Sequence, residues 1–133
     1  MCSIKQADYI DLIGKPFKVG GRGPDSFDCY GLVMEIYRRM GIHLRDEATP
    51  ESMKETMRQL EHGIATEWRS CEVKPGAALA FRRGRFVDHC GIAITNDRFI
   101  HADQGVGSVS IARLNGGFLP KNYAFAGAYE YLP

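Results

Sequence analysis

The sequence predicts an α+β fold in which helices of the first half pack on an antiparallel sheet formed by the second half. Apolar residues recur with helical spacing in the segment that begins at Cys29 and again between Thr49 and Gly63. After Cys71 the period changes to that of extended chain, with short apolar runs between turn residues. Because the helices come first and the strands follow, we expect the strands to form a meander.

The composition is that of one globular domain, which we expect to span residues 1–133. Hydrophobic residues make up 44% of the chain and charged residues 25%, and the formal net charge is +1. This balance provides no general attraction to nucleic acid or to a membrane surface, so neither is expected as a partner. No segment is apolar enough for membrane insertion, and Met1 to Gly14 lack the apolar core of a signal peptide. We therefore expect synthesis in the cytoplasm without an export signal.

A short first helix is predicted between Ser3 and Gly14. Ser3 and Gln6 form a capping-box pattern, and a modest apolar stripe that includes Ile4 and Ile10 follows. Residues 17–28 are rich in glycine, proline and aspartate and show no periodicity, so they are expected to form a loop. Because this loop leads directly into the next helix, we expect it to line a substrate site.

The second helix begins at Cys29 and ends before Gly41, a residue typical of helix C-termini. Asp28 occupies its N-cap position, where a carboxylate accepts hydrogen bonds from first-turn N–H groups. The helix dipole favours a thiolate at Cys29, and the unpaired N–H groups nearby can stabilise an oxyanion. The position therefore indicates a nucleophile, although a buried structural cysteine is an equally ordinary occupant of a helix start.

A third helix is predicted from Thr49-Pro50, an N-cap followed by proline, to Gly63. Strands are then predicted from apolar runs between turn residues: Ala77–Phe81, His89–Thr95, Arg98–Asp103, Ser108–Arg113 and Tyr123–Tyr131. In the last strand, we expect the alternate residues Tyr123, Phe125, Gly127, Tyr129 and Tyr131 to share one side.

The register of the hairpin formed by His89–Thr95 and Arg98–Asp103 decides whether its two histidines can meet. With a three-residue loop at positions 95–97, His101 opposes Gly91 and His89 becomes its diagonal neighbour. With a two-residue loop, the histidines point to opposite faces.

The apolar pattern of the hairpin favours the three-residue loop. In that register Ile92, Ile94 and Ile100 share the face opposite the histidines and form core. Gly91 and Ala93 then lie on the histidine face, where they leave room for a helix to approach.

Cys29 and the two histidines offer the groups that cysteine catalysis requires: a thiolate, a base and a residue that orients the base. A neutral His101 can accept the N–H of His89 and fix its tautomer. Asp103, on the same strand face, is a second candidate for the orienting role, and Asp88 is a weaker one. The alternative is that both histidines are ordinary strand residues.

A zinc site made of Cys29, His89, Cys90 and His101 is the other sharp hypothesis. Cys90 is adjacent to His89 and must point to the opposite face of the strand, which leaves three ligands at most. The scattered cysteines, without a CxxC pair, also argue against a zinc knuckle and a disulfide framework. We therefore expect neither a metal nor another cofactor.

Several motifs together resemble the NlpC/P60 cysteine peptidases. They are Gly-Lys-Pro-Phe-Lys-Val-Gly-Gly (14–21), Phe-Asp-Cys-Tyr-Gly-Leu-Val (27–33), Lys-Pro-Gly (74–76), Asp-His-Cys-Gly-Ile-Ala-Ile (88–94) and Arg-Phe-Ile-His-Ala (98–102). The resemblance covers roughly residues 9–131 and implies a papain-like α+β fold with a Cys-His-His triad. Cys29 is then the nucleophile, His89 the general base and acid, and His101 the orienting residue.

The same resemblance implies a substrate and its contacts. Members of the family cleave peptidoglycan stem peptides, often between γ-D-glutamyl and a diamino acid. Phe17, Asp28, Tyr30 and Asp103 are the expected substrate-binding residues. Two of them depart from the family pattern, because Phe17 stands where a tyrosine is common and Tyr30 where a serine is common. Phe17 lacks a hydroxyl donor, and Tyr30 should narrow or reshape the groove.

An aromatic residue directly after the cysteine resembles the tail-assembly members of the family found in phages and prophages. The leading hypothesis is therefore a tail-associated cysteine endopeptidase that acts on peptidoglycan and is carried by a virion, with phage tail proteins as partners. A non-hydrolytic tail component and an acyl or amide transferase on the same scaffold are the alternatives.

Overall fold

The computed structural model describes residues 4–46, 68–84, 86–115 and 123–132. Within these ranges the fold has one α-helix and one six-stranded sheet, so its class is α+β as predicted. The elements are α1 (Cys29–Arg39), β1 (Trp68–Cys71), β2 (Ala78–Arg83), β3 (Phe86–Ala93), β4 (Arg98–Asp103), β5 (Ser108–Arg113) and β6 (Tyr123–Tyr131). The helix predicted between Thr49 and Gly63 lies outside the described residues. No helix in the described ranges is long and apolar enough to cross a membrane.

The sheet is antiparallel, but it is not a simple meander. Its strand order is β1-β6-β2-β3-β4-β5, so the last strand returns across the sheet and lies between β1 and β2. The sequence did not predict β1, because Trp68–Cys71 is a short edge strand whose central residues, Arg69 and Ser70, are polar and exposed. Such a strand has no apolar alternation to reveal it.

The predicted first helix is replaced by two 3₁₀ turns, Gln6–Asp8 and Ile10–Leu12. Tyr9 and Leu12 are buried, whereas Ile10, which the predicted stripe included, is 49% exposed. Residues three apart lie on one side of a 3₁₀ turn, which explains why Tyr9 and Leu12 anchor this segment to the core.

Helix α1 buries its apolar stripe against the sheet. Its residues Leu32, Val33, Ile36 and Tyr37 belong to the same core cluster as Ile92 and Ile100. The helix therefore covers the isoleucine face, and the expectation that it approaches the histidine face was wrong. The reason is apolar area, because the isoleucines offer the helix more of it than Gly91 and Ala93 do.

The hairpin between β3 and β4 has the predicted even register. Ile92 pairs with Ile100 and Ala93 with Phe99, and the N–H of Ile94 donates to the carbonyl of Arg98 at 2.8 Å. Three residues, 95–97, therefore form the loop. A Cβ at Gly91 would lie 2.7 Å from the carbonyl oxygen of Ile100 and 3.2 Å from Cβ of His101. Glycine at this position thus allows β4 to bring His101 close to β3.

Strand β6 does not keep one alternation along its length. Ala80 pairs with Gly127 but Phe81 pairs with Phe125, so Ala126 is an extra residue in β6. Tyr129 consequently packs in the core beneath α1, whereas Tyr123 packs beside Phe81 on the opposite face. The expectation that all five alternate residues of this strand share one side was therefore wrong.

Candidate active site

Cys29 is the first residue of α1, and Asp28 caps the helix as predicted. Asp28 has an extended backbone, and its Oδ1 accepts the N–H of Gly31 at 2.7 Å. An α-helix leaves its first N–H groups without partners inside the helix. The N–H of Cys29 is one of these groups. It lies close to the sulfur of the same residue, which is the atom that would attack a carbonyl.

The loop before the helix packs tightly against its first turn. A Cβ at Gly31 would lie 2.0 Å from the carbonyl oxygen of Gly21, so no other residue fits without moving the loop. The N–H of Asp28 also donates to that carbonyl at 3.1 Å. This contact fixes the direction from which the chain enters the helix, and with it the position of Cys29.

The carboxylate of Asp28 is already engaged by protein groups. It accepts two hydrogen bonds of 2.8 Å from Arg22, which also pairs with Asp46. The N–H of Gly20 donates to it as well, at 3.2 Å. Asp28 therefore joins the loop to the helix, and a substrate group would have to compete with Arg22 for its oxygens.

The two aromatic residues that depart from the family pattern flank the same loop. Phe17 forms a bridge to Phe27, and its N–H donates to the carbonyl of Gly107 at 2.9 Å. The hydroxyl of Tyr30 donates to the carbonyl of Arg45 at 2.6 Å. Both side chains are half-buried, which leaves part of each ring available to a ligand.

His89 and His101 are in direct contact. Nε2 of His89 lies 2.7 Å from Nδ1 of His101, and the two residues are only 4% and 1% exposed. The rings meet edge to face, with centroids 5.0 Å apart. Because Nε2 of His89 is occupied, Nδ1 is the nitrogen that remains for Cys29.

The protonation of His101 follows from its surroundings. Burial, helped by the charge of His89 and opposed by Asp103, lowers the pKa of His101 to about 4. The ring is therefore neutral at pH 7, and it carries its proton on Nε2 if Nδ1 accepts from His89. Nε2 of His101 is buried and has no hydrogen-bond partner among the described residues.

Cys29 is poised as a thiolate. A hydrogen bond from Cys90 and the hydrogen bond and charge of His89 lower the pKa of Cys29 to about 5, against the opposing effects of burial and Asp28. The ladder between β3 and β4 ends at Ile92, so His89 and Cys90 both lie beyond it on β3. Cys90 points away from His89, as expected, and shares the core cluster of Cys29. Its own pKa is raised, which keeps it a protonated donor.

Asp103 is buried near the histidines but has other partners. Its Oδ2 accepts the N–H of Val106 at 3.0 Å, and its carboxylate is hydrogen-bonded to the hydroxyl of Tyr123. His89 contacts His101 directly, and this contact leaves Asp103 the more distant of the two candidate orienting residues. Asp88 is half-buried, and its Oδ2 pairs with Arg83 at 3.1 Å.

The hypothetical zinc ligands are not brought together as a set. Among the described residues, the group close enough to hold a metal is His89, His101 and Asp103, whose ligand atoms lie within 4.8 Å of one another. The hydrogen bond between the rings uses one nitrogen of each histidine. A metal would have to break that bond before it could bind those nitrogens.

Sequence reasoning missed Tyr123, which stacks on the imidazole of His89. The ring centroids are 4.4 Å apart and the planes differ by 16°. The signal that it overlooked is Gly127, because a glycine inside a strand often marks a bulge. A bulge changes the face of every residue on one side of it.

The sequence profile of the NlpC/P60 family matches residues 14–127. The chain is 33% identical over 116 residues to the murein DD-endopeptidase MepS/murein LD-carboxypeptidase of Escherichia coli K12, covering 86% of this chain and 56% of that protein. It is 27% identical over 104 residues to the "Probable endopeptidase p60" of Listeria grayi, covering 78% of this chain. The match spans only 18% of that relative's length.

Solved structures show the same fold. An NlpC/P60 family protein from Bacillus cereus ATCC 10987 superposes with a TM-score of 0.67 at 24% identity, covering 99% of this chain and 42% of that chain. The NlpC/p60 domain of the peptidoglycan hydrolase SagA superposes with a TM-score of 0.61 at 24% identity, covering 91% of this chain and 92% of that domain.

Proposed function

The chain belongs to the NlpC/P60 family, and on that premise we propose that it is a cysteine endopeptidase that hydrolyses peptidoglycan stem peptides. The observation that carries the proposal is that His89 is hydrogen-bonded to both Cys29 and His101, so that a buried thiolate, a base and a neutral acceptor are in contact. The names of the relatives, a murein endopeptidase and a peptidoglycan hydrolase, support the substrate class.

In the proposed reaction, the thiolate of Cys29 attacks the carbonyl carbon of the scissile amide. The N–H of Cys29 donates to the oxyanion that forms, because the helix start leaves it unpaired within the helix. The intermediate then collapses to a thioester, and Nδ1 of protonated His89 gives its proton to the departing amine.

Hydrolysis of the thioester completes the cycle. Nδ1 of His89 takes a proton from water, the hydroxide attacks the thioester carbonyl, and Cys29 leaves again as a thiolate. Throughout, Nδ1 of His101 accepts a hydrogen bond from the Nε2–H of His89. This bond holds the His89 ring in one tautomer and stabilises its charged form.

We propose the bond between γ-D-glutamyl and the diamino acid as the site of cleavage. The MepS relative is named as a DD-endopeptidase, which points to a different bond in the same polymer. Defined stem peptides, with and without a cross-link, separate the two possibilities. Mass spectrometry should find cleavage next to D-glutamate in the uncross-linked peptide; cleavage confined to the cross-linked peptide would contradict this assignment.

The test of the enzyme itself is digestion of purified stem peptide by the wild type and by Cys29→Ala. We expect pairs of fragments whose masses sum to that of the parent plus one water, and none with Cys29→Ala. A product that carries an added amine would identify a transferase, because a thioester can also be captured by an amine. No covalent change to the peptide by the wild type would favour a non-hydrolytic component.

We also propose that the protein acts from a phage or prophage tail. Support comes from Tyr30, the aromatic residue directly after the nucleophile, whose ring is half-buried beside the start of α1. Mass spectrometry of purified virions, induced from a host that carries the gene, tests this proposal. Absence of the chain from virions that contain every other tail protein would contradict it.

A further inference from the structure

His89 is enclosed by aromatic rings on several sides. Phe81 of β2 and His101 of β4 approach its ring with centroids at 5.7 and 5.0 Å, both at steep angles. Tyr123 of β6 differs, because it lies nearly parallel to the imidazole at 4.4 Å. It is the stacked partner of the ring, and it is itself half-buried, whereas His89 is only 4% exposed. Tyr123 therefore covers a face of the imidazole and separates it from solvent.

The bulge in β6 puts Tyr123 on this face. Tyr129 packs beneath α1, and uninterrupted alternation would place Tyr123 on the same side as Tyr129. The extra residue Ala126 reverses the alternation, so that Tyr123 pairs with Arg83 and reaches the histidine side. A bulge that redirects one side chain toward a site is a common structural device.

Two further contacts hold the Tyr123 ring in place. Its hydroxyl donates to the carboxylate of Asp103, and the guanidinium of Arg83 lies over the ring at 5.3 Å from its centroid. Asp103 is in turn fixed by the N–H of Val106. Burial and the neighbouring Asp103 raise the pKa of Tyr123, so the hydroxyl stays protonated and remains a donor.

We propose that Tyr123 is a positioning residue that holds the imidazole of His89 in line between Cys29 and His101 and stabilises its protonated form. The ring does so by stacking, because the negative face of an aromatic ring attracts a cation that lies over it. The proposal rests on the proposed peptidase function, since it concerns the base of that reaction. Tyr123 thus joins the site through ring stacking on His89 and not through a hydrogen bond to it.

Other titratable groups face His89 and must be held constant in any test. They are Cys29 of α1, His101 and Asp103 of β4 and Tyr123 itself, with Arg83 and Asp88 near Tyr123. Substitutions at position 123 change none of the other charges. A shift in a pH profile can then be assigned to the ring.

The experiment is alkylation of Cys29 by iodoacetate over a range of pH. The thiolate displaces iodide and becomes a carboxymethyl thioether, and the reagent's carboxylate is attracted while His89 is protonated. The rate therefore falls on the alkaline side as His89 loses its proton. With Tyr123→Leu we expect this limb to move about one pH unit lower, and kcat/KM on stem peptide to fall about tenfold. Tyr123→Phe keeps the stacked ring and should stay within about twofold of wild type.

The matched control is Tyr131→Leu, which removes a tyrosine from the same strand where it packs edge-on against Trp68. It should leave the alkylation profile unchanged. A Tyr123→Leu protein that melts like wild type and keeps the wild-type profile overturns the proposal. So does a Tyr123→Phe protein as impaired as Tyr123→Leu, because the bond to Asp103 would then be the relevant contact.

Two features keep the test decisive. Alkylation needs no substrate, so a wild type that cleaves no stem peptide refutes the proposed function while the profile still decides the role of Tyr123. If Tyr123→Leu does not fold, proton NMR of the wild type decides instead. Stacking requires cross-relaxation between the ring protons of Tyr123 and those of His89, and its absence overturns the proposal.

Discussion

Nε2 of His89 and Nδ1 of His101 share a hydrogen bond of 2.7 Å, and His101 is its acceptor whenever His89 is protonated. Burial lowers the pKa of His101 to about 4. Above that pH the His101 ring is therefore neutral, even when His89 is charged. The two histidines are therefore not interchangeable. In the proposed reaction His89 moves protons, whereas His101 supplies a lone pair.

This asymmetry predicts unequal losses in a kinetic series. Cys29→Ala and His89→Ala each remove a group that takes part in bond making or proton transfer, so turnover should fall to background. His101→Ala should lower kcat/KM by about 10- to 100-fold, because it removes a hydrogen bond to a charged ring. His101→Asn and His101→Gln keep an acceptor and should retain more activity than His101→Ala.

Steady-state kinetics on stem peptide, with circular dichroism to confirm folding, measures the series. A folded His101→Ala as inactive as Cys29→Ala would contradict the division of roles between the two histidines. Full activity of His101→Ala combined with loss in Asp103→Ala would transfer the orienting role to Asp103.

The depressed pKa of His101 predicts a loss of stability in mild acid. The folded state resists protonation of this ring down to about pH 4, whereas the unfolded chain takes up the proton near 6.5. The unfolded state thus binds more protons in this window, and the free energy of unfolding should fall as the pH drops from 6.5 to 4. The contribution is about 3 kcal/mol by linkage.

Urea unfolding at several pH values tests it by comparing the wild type with His101→Asn, which cannot titrate. The difference in slope between the two proteins isolates the histidine. His43→Asn, which replaces an exposed histidine, is the control for the substitution itself. Parallel curves for wild type and His101→Asn would contradict the prediction.

The Cys90 thiol should control the acidity of Cys29. The hydrogen bond from Cys90 is the largest influence that lowers the pKa of Cys29 to about 5. Cys90→Ala removes the donor and should raise that pKa by about one unit, whereas Cys90→Ser restores a donor. Iodoacetamide labelling against pH, read by mass spectrometry, measures it.

The same labelling should find Cys29 the fastest of the described thiols, with Cys71→Ala as a neutral control. Burial raises the pKa of Cys71 and makes it a poor competitor. Faster labelling of Cys71 or Cys90 in the wild type would remove Cys29 from its assigned role.

The ion pair between Arg22 and Asp28 should matter more than the one between Arg22 and Asp46. Asp28 is 8% exposed and also caps α1, whereas the side chain of Asp46 is 55% exposed. Asp28→Ala should lower the free energy of unfolding by about 3 kcal/mol, since a cap and a buried partner are lost together. Asp46→Asn should cost about 0.5 kcal/mol or less. Thermal and urea unfolding compare the two, and equal losses would contradict the assignment.

Features set by local pattern were predictable from the sequence. The hairpin register followed from Ile92, Ile94 and Ile100, because only one register buries them together, and the cap at Asp28 followed from residue type and position. Strand β1 and the bulge at Ala126 did not follow, because both depend on which strand lies beside β6. Tyr123 was missed for the same reason. The sheet face on which α1 packs was predicted wrongly, because Gly91 was interpreted as room for a helix. The space at Gly91 is instead taken up by β4, which carries His101.

The bulge at Ala126 divides β6 into two segments whose side chains alternate between the sheet faces in opposite phase. On the carboxyl side of Ala126, odd-numbered residues such as Tyr129 pack beneath α1. On the amino side, the odd-numbered Tyr123 packs against the histidines instead. Inserting one residue between Ala124 and Phe125 would pair Ala124 with Arg83 and place its methyl group where the Tyr123 ring now lies. A change of one residue in chain length would thus exchange an aromatic ring for a methyl group beside the imidazole, with no side chain of the pocket itself substituted.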